Sequence, residues 1–187
     1  MNILISGVHG FVGSNLTKSL SIGNTLYGLD IIFPTNKGIV KTYSWTDLES
    51  KTLPDVDVII HLAGKAHDTK NQSEAQSYFD INTELTKRIY DYFLSTSAKK
   101  FIFFSSVKAV ADTVEGAFLT EEVVPNPKGP YGESKILAEK YIQENWPAQN
   151  SDKSVFVLRP CMIHGPGNKG NLNLLYKVVS KSLIFVL

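Results

Sequence analysis

The stretch from residue 2 to residue 20, NILISGVHGFVGSNLTKSL, constrains the fold more than any other part of the chain. It opens with an apolar run typical of a buried strand and ends with two leucines at helical spacing. Between them stand Gly7, Gly10 and Gly13 at three-residue steps. Glycine allows a tight turn and lets backbone N–H groups approach phosphate oxygens, which a helix N-terminus also attracts. The order of strand, glycine turn and helix is typical of a dinucleotide-binding site, and a plain strand-to-helix turn is the simpler alternative.

An acidic residue at the end of the next apolar segment favours the nucleotide interpretation. Asp30 closes the segment TLYGLD, about 20 residues after the turn, where a carboxylate would accept hydrogen bonds from ribose hydroxyls. A carboxylate there repels a 2′-phosphate, and the following IIFPTNKG contains no arginine to bind one. We interpret Lys37 as a solvated loop residue. NAD is therefore predicted in preference to NADP.

Composition limits the class of protein. The chain has 187 residues, a net charge of +1 and 43% hydrophobic residues, which predicts one globular domain, or one plus a fragment, with a sizeable core. The near-zero charge gives no electrostatic reason to expect nucleic acid or an anionic membrane surface as a partner. A single cysteine fits a reducing compartment. The chain begins with a predicted core strand and has no apolar run of the ~20 residues that a membrane span needs. We therefore expect a cytoplasmic protein.

Apolar strand patterns alternate with helical patterns along the chain. This alternation predicts an α/β fold, a Rossmann-type doubly wound parallel sheet. The predicted strands cover residues 2–6, 25–30, 39–43, 57–62, 99–105 and 154–159. The predicted helices cover residues 11–21, 46–51, 74–96 and 131–145, with a last helix starting near Leu172. We expect residues 1–165 to form the NAD-binding domain and residues 166–187 to begin a substrate-binding region.

Three side chains with complementary chemistry follow the fifth predicted strand. The strand FIFFSS ends at Ser106, and ligands bind at strand C-termini near the switch point of such a sheet. The segment PYGESK then places Tyr131 and Lys135 four residues apart, on one face of a helix. A lysine ammonium beside a phenol favours the phenolate, which accepts a proton. Ser106 would hydrogen-bond the same substrate hydroxyl, and the constellation predicts dehydrogenase-type chemistry.

Other polar positions extend the predicted cofactor site, each with a structural alternative. Asp47-Leu48 follows the third strand, where a carboxylate would meet the adenine amino group or, equally, cap a helix. The fourth strand ends in Leu62, Ala63 and Gly64, which would let the cofactor lie against the backbone or serve as a tight strand exit. Asn82 is a poor residue for a helix interior. We expect it to be buried and to fix the ends of the fourth and fifth strands, with an exposed Asn as the alternative.

These motifs together resemble a known family. The segments GVHGFVG, HLAG, SSV, PYGESK and LRPCMIHGPG, with Asp30 and Asn82, are similar to the extended short-chain dehydrogenase/reductase family. Within it the chain resembles nucleotide-sugar epimerases and dehydratases, particularly UDP-hexose 4-epimerases. The resemblance implies tightly held NAD and a catalytic group of Ser106, Tyr131 and Lys135. In that family the phenolate takes the C4 hydroxyl proton while hydride passes to NAD, and the 4-keto sugar then turns over.

The resemblance also implies further site residues and an assembly. The implied cofactor-binding residues are Gly7, Gly10, Phe11, Val12, Asp30, Ile31, Asp47, Leu48, Leu62, Ala63, Gly64, Asn82 and Pro160. The implied substrate-binding residues are Ser106, Asn171 and Leu172, with a nucleotide sugar as the ligand. Helices 74–96 and 131–145 would form a homodimer interface.

Departures from the family pattern leave alternatives open. Dehydratases of the family usually carry Thr-Asp-Glu where this chain has Ser106-Val107-Lys108, which supplies no acid to eliminate water. Met162 replaces an asparagine that contacts the sugar phosphates in many members. Family members are also longer, so we expect the smaller substrate-binding domain to be largely missing. A 4-keto sugar reductase or dehydratase of the same family and a non-catalytic NAD-binding module remain the alternatives to an epimerase.

The histidines and the cysteine invite other interpretations. His9, His61, His67 and His164 lack the paired spacing or cysteine partners of a metal site, so no metal is predicted. Cys161 follows Arg159-Pro160, near the expected nicotinamide. Because no activating base is identifiable beside it, we expect a buried small apolar residue and not a nucleophile.

Overall fold

The computed structural model describes residues 1–66, 74–114, 116–148, 151–168, 176 and 179–180. Within these residues six strands form one parallel sheet in the order β3-β2-β1-β4-β5-β6. The strands are β1 (Asn2–Ser6), β2 (Thr25–Leu29), β3 (Lys41–Tyr43), β4 (Val58–His61), β5 (Lys100–Phe104) and β6 (Ser154–Leu158). This is the doubly wound order, with the switch point between β1 and β4. The predicted Rossmann-type fold is confirmed.

Five bounded α-helices lie within the described residues, and residues 176 and 179–180 are also helical. The five are α1 (Phe11–Leu20), α2 (Trp45–Glu49), α3 (Gln76–Tyr78), α4 (Leu85–Ser95) and α5 (Pro130–Glu144). A π-helix, Phe79–Glu84, joins α3 to α4, and a 3₁₀ helix, Val107–Ala109, follows β5. The single helix predicted over residues 74–96 is thus interrupted by a π-helical turn. The predicted start of a last helix, Leu172, lies outside the described residues. None of the helices described is long and apolar enough to cross a bilayer.

Both faces of the sheet are apolar, which is why its central strands are near-continuous hydrophobic runs. Successive residues of β1 point to opposite faces, so Leu4 joins one core and Ile3 and Ile5 join the other. The first core contains Phe101 and Phe103 of β5, packed with Ile89, Tyr90 and Phe93 of α4 and with Ala138 and Ile142 of α5. This packing fixes α4 and α5 against the sheet, and α5 carries two of the predicted catalytic residues.

The first turn of α5 lies directly against the 3₁₀ helix that follows β5. A Cβ built on Gly132 would stand 2.3 Å from the carbonyl oxygen of Lys108 and 2.9 Å from Cβ of Pro127. Only glycine permits this approach, because a real Cβ does not come so close to a backbone atom. Gly132, to which sequence analysis gave no role, therefore sets the position of the neighbouring Tyr131.

Candidate active site

The glycine turn forms one end of the site. Gly7 has φ +67°, and its amide donates to the Leu29 carbonyl oxygen at 2.9 Å. Gly10 is the N-cap of α1, which has no side-chain cap, so the first-turn N–H groups of the helix are not bonded to a capping side chain. A Cβ on Gly10 would meet only the Gly7 carbonyl oxygen, at 3.2 Å. The turn therefore has the open, amide-lined shape that a pyrophosphate requires.

Asp30 lies beside this turn, as predicted. One carboxylate oxygen accepts the His9 amide at 3.0 Å and the other accepts the Ile31 amide at 2.7 Å. The residue is only 8% exposed, so these two bonds fix the carboxylate at the end of β2. A contact between Asp30 and a ribose stays a prediction.

Asp47 and Leu48 have structural roles here. The Asp47 carboxylate accepts the Ser44 amide at 2.7 Å and the Ser44 hydroxyl at 2.6 Å, completing a capping box at the start of α2. The hydrogen bond from Ser44 is also the main reason that the pKa of Asp47 is lowered. Leu48 is buried in the core. The structure shows the capping bonds of the structural alternative, and an adenine contact for this pair stays a prediction.

Asn82 sits in the middle of the π-helix, and its side chain is fully buried. The amide oxygen accepts the Lys65 N–H at 2.8 Å, and the amide nitrogen donates to the Lys65 carbonyl at 3.1 Å and to the Ser134 hydroxyl at 3.0 Å. Asn82 therefore ties the loop after β4 to α5. The predicted burial and the link to the end of β4 are confirmed, while the other hydrogen-bond partner of the side chain lies on α5.

A buried hydrogen-bonded chain leads from β1 to this asparagine. The Thr86 hydroxyl donates to the Asn82 carbonyl at 2.7 Å, so it must accept from Nε2 of His61, which lies 2.8 Å away. His61 is thereby assigned as the neutral Nε2–H tautomer, and its Nδ1 accepts the Ser6 hydroxyl at 2.6 Å. Burial first, and the charge of Lys135 second, lower the pKa of His61 to about 3. His61 is a core residue that links β1, β4 and α4.

We expect the folded protein to lose stability as the pH falls below about 6.5, the ordinary pKa of histidine. Because the folded pKa of His61 is about 3, the unfolded chain binds a proton that the folded protein excludes between these values. The free energy of unfolding should fall by about 1.4 kcal/mol per pH unit in this window, in addition to any contribution from carboxylates. Urea unfolding between pH 7 and pH 5 measures the slope.

The matched variants for this experiment are His61→Gln and His164→Gln. His61→Gln should be less stable at pH 7 and should show a shallower slope, because the excluded proton site is gone. His164→Gln, in the loop after β6, should keep the wild-type slope. An equal slope in wild type and His61→Gln would contradict the assignment.

One cavity of about 180 Å³ lies at the carboxyl ends of β4 and β5. It is lined by all three predicted catalytic residues, Ser106, Tyr131 and Lys135. The same cavity is lined by four of the predicted cofactor residues, Val12, Leu62, Gly64 and Pro160. The tertiary structure thus brings the second half of the chain to the switch point next to the glycine turn, where a ligand is expected in this fold.

Lys135 is buried at the base of this cavity. Its ammonium donates to the Phe104 carbonyl oxygen at 3.0 Å and lies 4.9 Å from the centre of the Phe103 ring. Burial lowers the pKa of Lys135 to about 8, and the charge of Glu139 opposes this shift. Gly64 makes room for the ammonium, since a Cβ there would stand 3.1 Å from Nζ. Lys135 is therefore held as a fixed cation at neutral pH, one helical turn from Tyr131.

The two serines at the end of β5 face different partners. The Ser106 hydroxyl accepts the Lys108 amide at 3.2 Å as the N-cap of the 3₁₀ helix. The Ser105 hydroxyl donates to the buried carboxylate of Glu139, which also binds Arg159. Neither Glu139 nor Arg159 was predicted as a site residue, although a glutamate four residues after Lys135 lies on the same face of a helix and was a usable signal.

Some predicted site residues lie elsewhere. Ile31 is 73% exposed at the end of β2, where only its amide is fixed. The predicted substrate residues, Asn171 and Leu172, and the histidine at position 67 lie outside the described residues. Cys161 is exposed and lines the cavity, so the prediction of a buried cysteine is wrong: the chain leaves β6 before it and turns outward. In the described part of the chain, no three potential metal ligands form a group.

Comparison with known proteins places this site in context. Residues 3–183 match the NAD dependent epimerase/dehydratase family. The UDP-glucose 4-epimerase of Vibrio cholerae is 31% identical over 191 residues, covering 97% of this chain and 58% of the relative. N-acetyl-alpha-D-glucosaminyl-diphospho-ditrans,octacis-undecaprenol 4-epimerase of Escherichia coli O157:H7 is 27% identical, covering 99% of this chain and 56% of the relative. The chain thus spans little more than half the length of these relatives.

Solved structures share the fold. MoeE5 in complex with UDP-glucuronic acid and NAD has a TM-score of 0.79 at 24% identity, covering 95% of this chain and 61% of that protein. The UDP-glucuronic acid 4-epimerase of Bacillus cereus in complex with NAD has a TM-score of 0.72 at 26% identity, covering 90% of this chain and 59% of that protein. A GDP-6-deoxy-D-mannose reductase of Pseudomonas aeruginosa is also similar in sequence, at 29% identity.

Proposed function

The chain belongs to the NAD-dependent epimerase/dehydratase family, and on that premise we propose that it inverts C4 of a nucleotide sugar through a transient 4-keto intermediate. The observation that carries this proposal is the single cavity shared by Ser106, Tyr131 and Lys135 with the cofactor-side residues Val12 and Gly64. UDP-hexose or UDP-N-acetylhexosamine is the proposed substrate class, and the UDP-glucose 4-epimerase among the relatives supports a UDP-sugar.

NAD fits the residues present. The uncapped N-terminus of α1 and the open turn at Gly10 would hold the pyrophosphate, and Asp30 would hold the adenosine ribose. Lys135, fixed through the Phe104 carbonyl, would bind the nicotinamide ribose. When bound, NAD would supply the hydride acceptor and donor that this chemistry at C4 needs.

The residues of the chain handle the proton. Tyr131 as phenolate accepts the proton of the C4 hydroxyl, and the Lys135 ammonium stabilises the negative charge of the phenolate. Ser106 holds the same hydroxyl in line. On return, Tyr131 gives the proton back to the C4 oxygen after the ketone has presented its other face. Proton and hydride are therefore both restored, and the reaction has no net redox change.

The remaining parts of the proposal concern organisation. We assign residues 1–165 to NAD binding and residues 166–187 to the start of a substrate-binding region. A homodimer through helices 74–96 and 131–145 is supported by Ile81 and Leu137, which are large apolar residues exposed on these helices. The division into two regions rests on the family resemblance. The homodimer rests on that resemblance and on the exposure of these two side chains.

A panel of UDP-sugars tests the function. The protein is incubated with NAD and UDP-glucose, UDP-N-acetylglucosamine or UDP-glucuronic acid, and inversion at C4 is followed by proton NMR. We expect one substrate to reach an equilibrium of its two C4 epimers without net NADH formation. Stoichiometric consumption of NADH by a 4-keto sugar nucleotide would identify a reductase instead. NAD binding without conversion of any sugar would support a non-catalytic binding module.

A further inference from the structure

The carboxylate of Glu139 on α5 is hydrogen-bonded to the residues that follow β5 and β6. Glu139 lies one turn after Lys135 on α5 and is 1% exposed. Its carboxylate accepts the Ser105 hydroxyl, the Nε–H of Arg159 at 3.0 and 3.1 Å, and a terminal N–H of Arg159 at 2.5 Å. One buried carboxylate on α5 thus binds the first residue after β5 and the first residue after β6. Tyr131 and Lys135 lie on the same helix.

The neighbours of these two bonded residues form walls of the cavity. Ser105 is followed by Ser106, and Arg159 is followed by Pro160 and Cys161. The three residues that follow, Ser106, Pro160 and Cys161, line the cavity. Backbone bonds also join the two strand ends, from the Ser105 amide to the Leu158 carbonyl at 2.8 Å. The strand ends therefore form one unit, and Glu139 fixes that unit relative to α5.

The charge of Glu139 acts on the same site. Its carboxylate is paired with Arg159, the residue after β6, and its charge raises the pKa of Lys135 on α5 against the effect of burial. His61 on β4 faces Lys135 from the sheet and is neutral, and Tyr131 and Lys65 line the same cavity. Among the described groups around Lys135, Glu139 is therefore the one whose negative charge favours the ammonium form.

Resting on the proposed function, we propose that Glu139 is a positioning residue for the Tyr131–Lys135 pair: it ties the ends of β5 and β6 to α5 and presents a fixed negative charge to Lys135. A purely structural role explains less, because a buried ion pair can often be replaced by apolar residues with no loss of stability. A positioning role requires both the bonds and the charge, and it gives measurable effects that do not depend on the sugar.

The titration of Lys135 tests the charge. Glu139→Gln keeps the size of the side chain and removes the charge, and Glu144→Gln makes the same change at an exposed position near the end of α5. The ¹³C NMR signal of Lys135 Cε, assigned with Lys135→Met, is followed against pH in each protein. We expect the midpoint to fall by about half a pH unit in Glu139→Gln, less than the 1–3 units of a direct ion pair, because the carboxylate is paired with Arg159 and acts on Lys135 from farther away. Glu144→Gln should titrate as wild type.

A paired variant guards against misfolding, because Glu139→Gln leaves Arg159 without its anionic partner. In Glu139→Gln/Arg159→Met both charges are gone, and the Lys135 midpoint should still be lowered. An unchanged midpoint in both variants, with their folds intact, would overturn the inference. If the midpoint falls while no UDP-sugar is converted, the proposed function fails and the role of Glu139 toward Lys135 stands.

The single cysteine reports on the tie to β6. Cys161 lines the cavity two residues after Arg159 and is the only thiol of the chain. Its rate of alkylation by iodoacetamide should rise in Glu139→Gln, because the segment that carries it is no longer tied to α5, and stay at the wild-type rate in Glu144→Gln. The same rate in all three proteins would show that Glu139 does not fix this wall and would overturn that part of the inference.

Discussion

Tyr131→Phe is expected to lower kcat for C4 inversion by about 10³-fold, within the range that a positioned acid–base group contributes. Tyr131 lines the cavity with Ser106, and its ring lies edge-on to Tyr78 with centroids 6.4 Å apart. Phenylalanine keeps this ring contact and removes only the hydroxyl, so the loss should fall on kcat with little change in KM. NAD affinity should stay within about twofold of wild type, because the proposed cofactor contacts lie elsewhere.

The matched control is Tyr141→Phe on the same helix. The Tyr141 hydroxyl donates to Asp91 of α4 at 2.7 Å, and Tyr141 does not line the cavity. This variant should keep the wild-type kcat, so a loss specific to Tyr131 would identify the proton acceptor. A Tyr131→Phe enzyme with wild-type turnover would end the proposed role.

Gly7→Ala is expected to destabilise the protein by about 3 kcal/mol and to remove NAD binding. Two costs add: a side chain at positive φ costs about 1–2 kcal/mol, and overpacking costs about 1–3 kcal/mol. Gly7 has φ +67°, and a Cβ there would stand 2.8 Å from two backbone atoms of Ala63. The added methyl group would push the glycine turn away from the loop that follows β4, and with it the proposed pyrophosphate contacts.

Gly23→Ala separates these two costs. Gly23 also has positive φ, +81°, but nothing lies within 4 Å of a Cβ built there. It should lose only about 1–2 kcal/mol and bind NAD normally. Urea unfolding and isothermal titration with NAD measure both effects. Equal losses in the two variants would show that the close approach of Gly7 to Ala63 contributes nothing.

Local pattern was enough to predict the fold and much of the site. The apolar runs and the glycine turn are each formed by neighbouring residues. The strand, the turn and the helix that follows can therefore be predicted from the local sequence. Tyr131 and Lys135 are four residues apart, and helical geometry alone puts them on one face. The ends of parallel strands meet at one edge of the sheet, which is why Asp30 and Ser106 were predicted near the same ligand.

Longer-range partners could not be predicted in this way. His61 bonds to Ser6 across 55 residues, and Asn82 bonds to Ser134 across 52 residues. A sequence does not show which buried polar groups will meet, because this depends on how the strands are ordered and how the helices pack. At Asp47, capping and adenine binding have the same local pattern, and only the structure shows that the capping bond to Ser44, three residues away, is made.

The sequence by itself determined the alternation of strands and helices, the glycine turn and the Tyr131–Lys135 spacing, because each is a property of neighbouring residues. Only the tertiary structure decided that Glu139 joins two strand ends to α5, that Gly132 presses α5 against the 3₁₀ helix, and that Cys161 faces the cavity. These features depend on contacts between distant segments. Such contacts form, and stabilise the fold, only when the sheet order brings the segments together.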